Sequence, residues 1–271
     1  MSDFLLLMWK PLLAAAILTG IHAYLGFHVL SRKVIFVDLS LAQIAALGAS
    51  AAFLLGYELH SVPSYFSSLT ATFIGAAIFA ATRTRTERIP QEAVIGIVYA
   101  VSSALAILIL SRAPEGDEHI RHMLVGNILL VTTPELVTMS LLYGAVGLFH
   151  WIFRRTLIMI STEPDKAFAS GLRVRFWDLL FYLSFGLVVT SSVEIAGVLL
   201  VFSFLIVPSV VGVLFSDRLG MRLWIGWGSG LLASFAGVAA SYFFDLPTGP
   251  SIVCAFGLLF FLAGLLRWKR V

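Results

Sequence analysis

The sequence is poor in charged residues and almost without cysteine. Only 12% of its 271 residues are Asp, Glu, Lys or Arg, whereas 59% are apolar and the mean hydropathy is +0.98. Soluble domains carry roughly twice that share of charged residues. The single cysteine, Cys254, excludes a disulfide framework or a thiolate metal site within one chain. This composition is typical of a chain that spans a lipid bilayer.

Sequence motifs of enzymes and nucleotide-binding proteins are also missing. The sequence contains no H-E-x-x-H, no G-x-S-x-G and no G-x-x-x-x-G-K-[ST] phosphate loop. We therefore expect no catalytic site and no cofactor bound by this chain. If the protein uses ATP, a separate subunit must bind it.

Long apolar runs, in contrast, fill the sequence. A helix needs about 20 apolar residues to cross the hydrocarbon core of a membrane. A further apolar run, at residues 121–132, is too short to cross and favours a re-entrant or interfacial helix. The sequence predicts an all-α polytopic membrane protein with a single transmembrane domain over residues 1–271. Its nine predicted spans are residues 11–31, 34–57, 63–82, 91–111, 135–153, 176–193, 195–215, 222–244 and 249–266.

Positive charge is distributed unevenly between the two sides of these spans. Fifteen of the eighteen Lys and Arg residues fall in loops on one side, and only Lys10, Arg112 and Arg121 fall on the other. Because Lys and Arg collect in cytoplasmic loops, the basic side is predicted to lie inside. Nine spans then place the N terminus outside and the C terminus in the cytoplasm. The basic groups lie within residues 32–33, 83–88, 154–175, 218–222 and 267–270.

An acidic residue, Asp38, lies near the cytoplasmic end of the second predicted span. It is either a cation ligand on a water-filled path, or an interfacial acid or helix cap paired with Arg32 or Lys33. Ser40 and Gln43, three residues apart, share one helix face and add oxygen ligands. Asp38 and Gln43 differ by about 140° around an ideal helix. Both would bind the same ion only if the helix begins irregularly.

Two histidines, His22 and His28, lie in the first predicted span. Neutral imidazole is a common ligand for zinc-like metals, but a buried histidine can also be a hydrogen-bonded packing residue. The separation of six residues places the two rings on different faces of the helix. A two-ligand site within this helix alone is therefore not expected.

Helix-packing features occur in the last third of the chain. Gly226, Gly230, Ser234, Gly237 and Ser241 line one helix face with small residues, which allows another helix to approach closely. Pro208 removes an amide donor, so the seventh span is predicted to kink. A kinked span can gate a transport path, although proline is also common in membrane helices without such a role.

The loop STEPDKAFASGLRVRF predicts a short helix on the basic side. Thr162 is the expected N-cap, Pro164 lies in the first turn and Gly171 marks the end. Ala167 and Gly171, four residues apart, are expected to present a small-residue face to a docking partner. Such a helix either receives motion from an ATPase or is an ordinary surface helix.

Several segments, in this order, resemble those of a known family. They are LGFHVLSRKVIF, VGNILLVTTPEL, ISTEPDKAFASG, GVLLVFSFLIVPSVVG and DLPTGPSIV. Over nearly its whole length the chain resembles the permease subunits of bacterial ABC importers for zinc, manganese or iron(II). The resemblance implies a homodimer in the inner membrane, two cytoplasmic ABC ATPase subunits and an extracytoplasmic metal-binding protein. It also implies that Glu163, Asp165, Ala167 and Gly171, in a coupling loop at about 154–175, contact the ATPase.

The sequence differs from the usual family pattern at the residues expected to handle the metal. The family's second span usually carries Asp followed four residues later by His. Here the His position is Gln43, the residue four before it is Leu39, and the acid stands at Asp38. We expect an oxygen-lined path at Asp38, Ser40 and Gln43, with Asp38 as the principal group, and the sequence does not select a metal. An importer of a metal chelate, such as a siderophore or corrinoid, and an ion-coupled secondary transporter remain alternatives.

Overall fold

The computed structural model describes residues 2–58, 61–83, 89–111 and 124–268. Within these residues the chain is helical without strands, which confirms the predicted all-α class, and nine helices are long and apolar enough to cross a membrane. The helices are α1 (Ser2–Arg32), α2 (Val37–Leu54), α3 (Val62–Thr82), α4 (Gln91–Leu110), α5 (Thr133–Ile152), α6 (Arg154–Thr162), α7 (Pro164–Ala169), α8 (Val174–Ala196), α9 (Val198–Phe215), α10 (Leu219–Phe244) and α11 (Thr248–Trp268).

The predicted spans match the observed helices closely, except at the start of the chain. Helix α1 begins at Ser2 rather than at residue 11, because the run FLLLMW continues the helix outward. Pro11 lies inside α1, where it removes the hydrogen bond to the carbonyl of Leu7 without ending the helix. Of the short apolar run at 121–132, residues 121–123 lie outside the described residues. The remainder contains a single turn of 3-10 helix, Ile128–Leu130, which does not cross a membrane.

The chain divides into two compact units. The first comprises Met1–Leu30, Leu124–Ala145 and Glu194–Val271, and the second comprises Ser31–Met123 and Val146–Val193. The first unit therefore contains most of α1 and α5 with all of α9 to α11, and the second contains α2, α3, α4, α6, α7 and most of α8.

Small residues bring the helices of the first unit together, as the sequence predicts. All five members of the small-residue face of α10 are buried or nearly so. A methyl group at Gly237 would lie 2.4 Å from the Cα atom of Ile252 in α11, so a larger residue would push the helices apart. Pro208 lies inside the continuous helix α9. The hydroxyl of the next residue, Ser209, donates to the carbonyl of Ala23 in α1 at 3.0 Å.

In the second unit, helix α2 packs against both α3 and α4, and most of its residues are buried. Ser67 of α3 donates its hydroxyl to the carbonyl of Gly48 in α2 at 2.7 Å. Thr72 of α3 hydrogen-bonds Thr190 of α8 at 3.1 Å. Inter-helical polar contacts of this kind add specificity where lipid supplies no hydrophobic drive for association.

Gly197, at the junction between α8 and α9, and Gly126, in the segment before α5, touch through their backbones. Gly126 and Gly197 have φ values of +63° and +76°, which favour glycine. A methyl group at Gly197 would lie 2.4 Å from the amide nitrogen of Gly126. The neighbouring amide of Asn127 donates to the carbonyl of Ile195 at 3.0 Å. The segment before α5 is thus held against the break between α8 and α9.

We expect Gly197→Ala to destabilise the protein, because the added methyl meets backbone and the left-handed φ strains any L residue. The thermal midpoint of the purified protein should fall by about 5 °C or more, measured by fluorescence-detected size exclusion after heating. Gly228→Ala in α10 is the matched control, since a methyl group added there would meet no atom within 4 Å. An equal midpoint for the two variants would contradict the backbone contact.

Candidate functional site

Asp38 lies in the first turn of α2 and is only 2% exposed. Neither of its carboxylate oxygens has a hydrogen-bond partner among the described residues. The amides of Asp38 and Leu39 act on it electrostatically but make no hydrogen bond of good geometry. The hydroxyl of Ser40, which is fully buried, also has no partner there, and Gln43 is 8% exposed. The structure thus leaves three buried oxygen atoms of α2 without protein partners in the described part of the chain.

The alternative role for Asp38, a capping or ion-pairing acid, does not fit this geometry. The N-cap residue of α2 is Phe36, whose amide donates to Oε1 of Glu92 in α4 at 3.0 Å. A side chain of another helix, and not Asp38, therefore accepts the hydrogen bond from this amide at the start of α2. Arg32, the expected ionic partner, is bound elsewhere, and Asp38 forms no ion pair among the described residues.

Asp178 of α8 is the buried anion that Arg32 does bind. Its Oδ1 accepts from Arg32 at 2.6 Å and from Arg83 at 2.9 Å, and its side chain is fully buried. Arg32 also donates through Nε to Ser161 at 2.8 Å, and Arg83 donates to the carbonyl of Ile160 at 3.2 Å. This charge cluster, defined by Arg32, Arg83 and Asp178, joins the ends of α1 and α3 to α6 and α8. From the sequence, Arg83 is interpreted as an orientation signal and Arg32 as an orientation signal or a partner of Asp38, although Asp178 inside an apolar span is a visible sign of a buried charge.

A cavity of about 410 Å³ opens beside the charge cluster. Its wall includes Arg32, Arg83, Glu92 and Asp165. The cavity therefore adjoins both the start of α2, where Glu92 accepts the amide of Phe36, and the loop that the sequence predicts to couple to an ATPase.

The predicted coupling loop contains two helices rather than one. Thr162 is the last residue of α6 and its hydroxyl donates to the carbonyl of Ile158 at 2.9 Å, so the prediction that it caps the next helix is wrong. Glu163 holds the N-cap position of α7 without a side-chain hydrogen bond, and Pro164 follows as the first helical residue, as predicted. Gly171 has a φ of +75°, consistent with its predicted role in ending the helix.

The two residues of the small-residue face predicted for this loop differ in exposure: Ala167 is buried and Gly171 is exposed. Ala167 is fully buried in a cluster with Ile160 and Val174, because α7 folds back onto α6 and the start of α8. It therefore cannot be presented to a partner, contrary to the prediction. Glu163, Asp165 and Gly171 are exposed. Glu163 pairs with Lys166 on the surface, where such pairs contribute little to stability.

The two histidines of α1 are both fully buried. His22 makes a hydrogen bond between Nδ1 and the carbonyl of Leu18 at 2.9 Å, and its ring meets Tyr143 edge-on at 6.3 Å. His28 packs edge-on against Tyr24 and Phe27. Among the described residues no group of three or more His, Cys, Asp or Glu side chains is arranged to hold a metal ion.

The described part of the chain contains nine candidate membrane spans, and one of them carries buried oxygen atoms without partners. Polar groups of this kind inside a span are typical of membrane transport proteins. The profile of the ABC 3 transport family matches residues 5–267, and the chain belongs to this family. It is a multi-pass membrane protein of an ATP-binding-cassette system, a class whose transport channel and ATPase are separate parts.

Individual proteins are also similar to this chain. The manganese transport system membrane protein MntB of Synechocystis is 32% identical over 212 residues, covering 77% of this chain and 67% of the relative. An uncharacterized membrane protein of Cyanophora paradoxa is 31% identical over 95% of this chain and 84% of its own length. Among solved structures, PsaBC from Streptococcus pneumoniae in complex with Fab superposes with a TM-score of 0.79 at 22% identity, covering 97% of this chain and 94% of that one.

We expect Asp178→Asn to destabilise the fold strongly, because it leaves two buried guanidinium groups without their anion. Removing one partner of a buried ion pair costs about 3–5 kcal/mol. Thermal unfolding of the protein in detergent should show a large fall in the midpoint. Asp217→Asn is the matched control, since Asp217 is fully exposed and its pair with Arg222 lies at 3.4 Å. A midpoint for Asp178→Asn equal to that of the control would contradict the importance of the charge cluster.

Proposed function

We propose that this chain is the membrane-spanning permease subunit of a bacterial ABC importer for divalent metal ions. The observation that carries the proposal is the buried carboxylate of Asp38, unpartnered among the described residues, inside a span of a chain from this family. An ionisable group in that position is costly unless an ion, water or another charge compensates it. A passing divalent cation would do so.

The proposed complex contains further parts. Two copies of the chain form a homodimer in the inner membrane, two cytoplasmic subunits hydrolyse ATP, and an extracytoplasmic protein delivers the metal. The N terminus lies outside and the C terminus in the cytoplasm, as the distribution of Lys and Arg favours. The metal is cargo, and no resident cofactor is proposed for this chain.

Asp38, Ser40 and Gln43 supply the oxygen atoms of the proposed path. Carboxylate, hydroxyl and amide oxygens suit manganese and other hard or borderline cations. Transport requires binding that is strong enough for entry and weak enough for release, so a site with few protein ligands is adequate. The manganese transport relative supports this choice of cargo class, and zinc or iron(II) would be carried by the same chemistry.

The coupling role is proposed for the exposed residues Glu163, Asp165 and Gly171, which lie where an ATPase in the cytoplasm can reach them. Ala167 contributes by holding α7 against α6. Movement of this pair of helices reaches the charge cluster directly, since Ile160 and Ser161 of α6 bind its arginines. Pro208, which lacks an amide donor inside α9, is the proposed flexible point of a gating helix.

Asp38→Asn is expected to abolish metal uptake, because the amide keeps the shape of the side chain but removes its charge. Uptake of zinc, manganese and iron would be measured by elemental mass spectrometry in cells that express the complete complex. ATPase assembly, measured by co-purification, should be unchanged, and Asp217→Asn should transport normally. Full uptake by the Asp38→Asn variant would remove Asp38 from the mechanism. Uptake by the unaltered complex of a metal chelate alone would replace free metal as the cargo.

Asp165→Arg is expected to weaken coupling by reversing a charge on the exposed face of α7. Metal-dependent ATPase activity and uptake should both fall, while the thermal midpoint stays near that of the unaltered protein because the side chain is exposed. Asp217→Arg, in the loop before α10, makes the same charge change outside the proposed contact. Equal ATPase stimulation in the two variants would argue against a contact at Asp165.

A further inference from the structure

His22 lies deep within the membrane-spanning part of α1. It precedes the last residue of the helix, Arg32, by ten positions, which is about 15 Å along an α-helix. The hydrocarbon core of a bilayer is about 30 Å thick, so a span that ends at Arg32 would place the ring near the middle of the membrane. Its residue exposure is 0%, which places the whole imidazole in the protein interior.

The single hydrogen bond of His22 determines which nitrogen carries the proton. The partner of Nδ1 is the carbonyl oxygen of Leu18, which can only accept. Nδ1 therefore carries the hydrogen and donates it. In the neutral ring, Nε2 is then left with a free lone pair. Nε2 has no hydrogen-bond partner among the described residues.

The bare nitrogen of His22 contrasts with the hydroxyl of Thr19 on the same helix. The hydroxyl of Thr19, one turn earlier, is satisfied by the carbonyl of Ala15 at 2.7 Å. A buried acceptor without a partner is unfavourable, because it loses its bonds to water and gains nothing in exchange. The nearby aromatic ring of Tyr143 meets His22 edge-on and buries it further. A ligand that accepts the Nε2 lone pair would remove this cost.

We propose that Nε2 of His22 is a nitrogen ligand for the divalent cation during its passage through the membrane. The inference deepens the function proposed above and rests on it. Histidines that bind metals usually donate their other ring nitrogen to a carbonyl or carboxylate, which fixes the tautomer and orients the lone pair. The bond from His22 to Leu18 does the same here. The ligand class is a borderline divalent metal ion such as zinc or iron(II).

An imidazole on the route affects which metals pass. Nitrogen ligands favour zinc over manganese, whereas carboxylate and carbonyl oxygens suit manganese well. His22 would therefore raise transport of zinc relative to manganese beyond what the oxygen atoms of α2 provide. Glutamine at this position offers an amide oxygen in place of the imidazole nitrogen. His22→Gln is thus expected to shift selectivity, whereas the loss of a packing residue would lower transport of both metals alike.

The experiment measures the ratio of zinc to manganese uptake by the full complex, reconstituted with its ATPase and binding protein in proteoliposomes. His22→Gln should lower the ratio by about tenfold or more, because losing even an outer-shell partner of a metal-binding histidine costs about 10–100-fold in affinity or activity. His28→Gln is the matched control, because His28 is equally buried on the same helix, and its ratio should not change. A His22→Gln ratio equal to that of the unaltered complex overturns the inference.

A binding measurement separates this inference from the proposed function. X-ray absorption of zinc added to the full complex in nanodiscs should show imidazole scattering, lost in His22→Gln and retained in His28→Gln. If the unaltered complex transports neither zinc, manganese nor iron(II), the proposed function fails, and the zinc spectrum alone decides whether His22 binds a metal. A spectrum without imidazole, or one that His22→Gln leaves intact, overturns the inference in either case.

Discussion

The second unit depends on the buried ion pairs that the carboxylate of Asp178 forms with the guanidinium groups of Arg32 and Arg83. Charged groups removed from water are tolerated only when paired with good geometry, so the position of each partner is tightly constrained. Arg32 and Arg83 therefore fix the ends of α1 and α3 on α8. Lys33, in the left-handed conformation with a φ of +57°, then turns the chain into α2. The place of Asp38, in the first turn of α2, follows from this arrangement.

The buried polar groups fall into two sets with different physical consequences. In the charge cluster, Oδ1 of Asp178 accepts from both arginines and the cluster holds helices in place, although Oδ2 of Asp178 and Nη2 of Arg32 have no partner among the described residues. The oxygens of Asp38, the hydroxyl of Ser40 and Nε2 of His22 have no partners in the described part of the chain. Unpaired groups of this kind reduce stability. Their presence inside spans is better explained by a ligand that passes through than by a contribution to the fold.

Hydropathy alone predicts the nine spans, because spanning a bilayer requires a long apolar run wherever it occurs. Local signals also succeed: Pro164 begins α7, and Gly171 follows it in the left-handed conformation. The charge cluster could not be predicted, since Asp178 lies 146 and 95 residues from its two arginines and nothing local pairs them. The prediction that Ala167 faces a docking partner was wrong for a related reason. Its spacing from Gly171 defines a face, but only the packing of α7 on α6 decides where that face points.

The proposed transport route combines oxygen ligands in α2 with the imidazole nitrogen of His22 in α1. Gln43 gives α2 an all-oxygen set with Asp38 and Ser40, which by itself favours hard cations such as manganese. His22, on a different helix, offers an imidazole nitrogen whose tautomer is already fixed by the carbonyl of Leu18. On the two proposals made above, the oxygen ligands of α2 favour manganese and the imidazole of α1 favours zinc. Under these proposals, the residues that set the preference among metals lie in more than one helix, so the second span alone does not identify the metal.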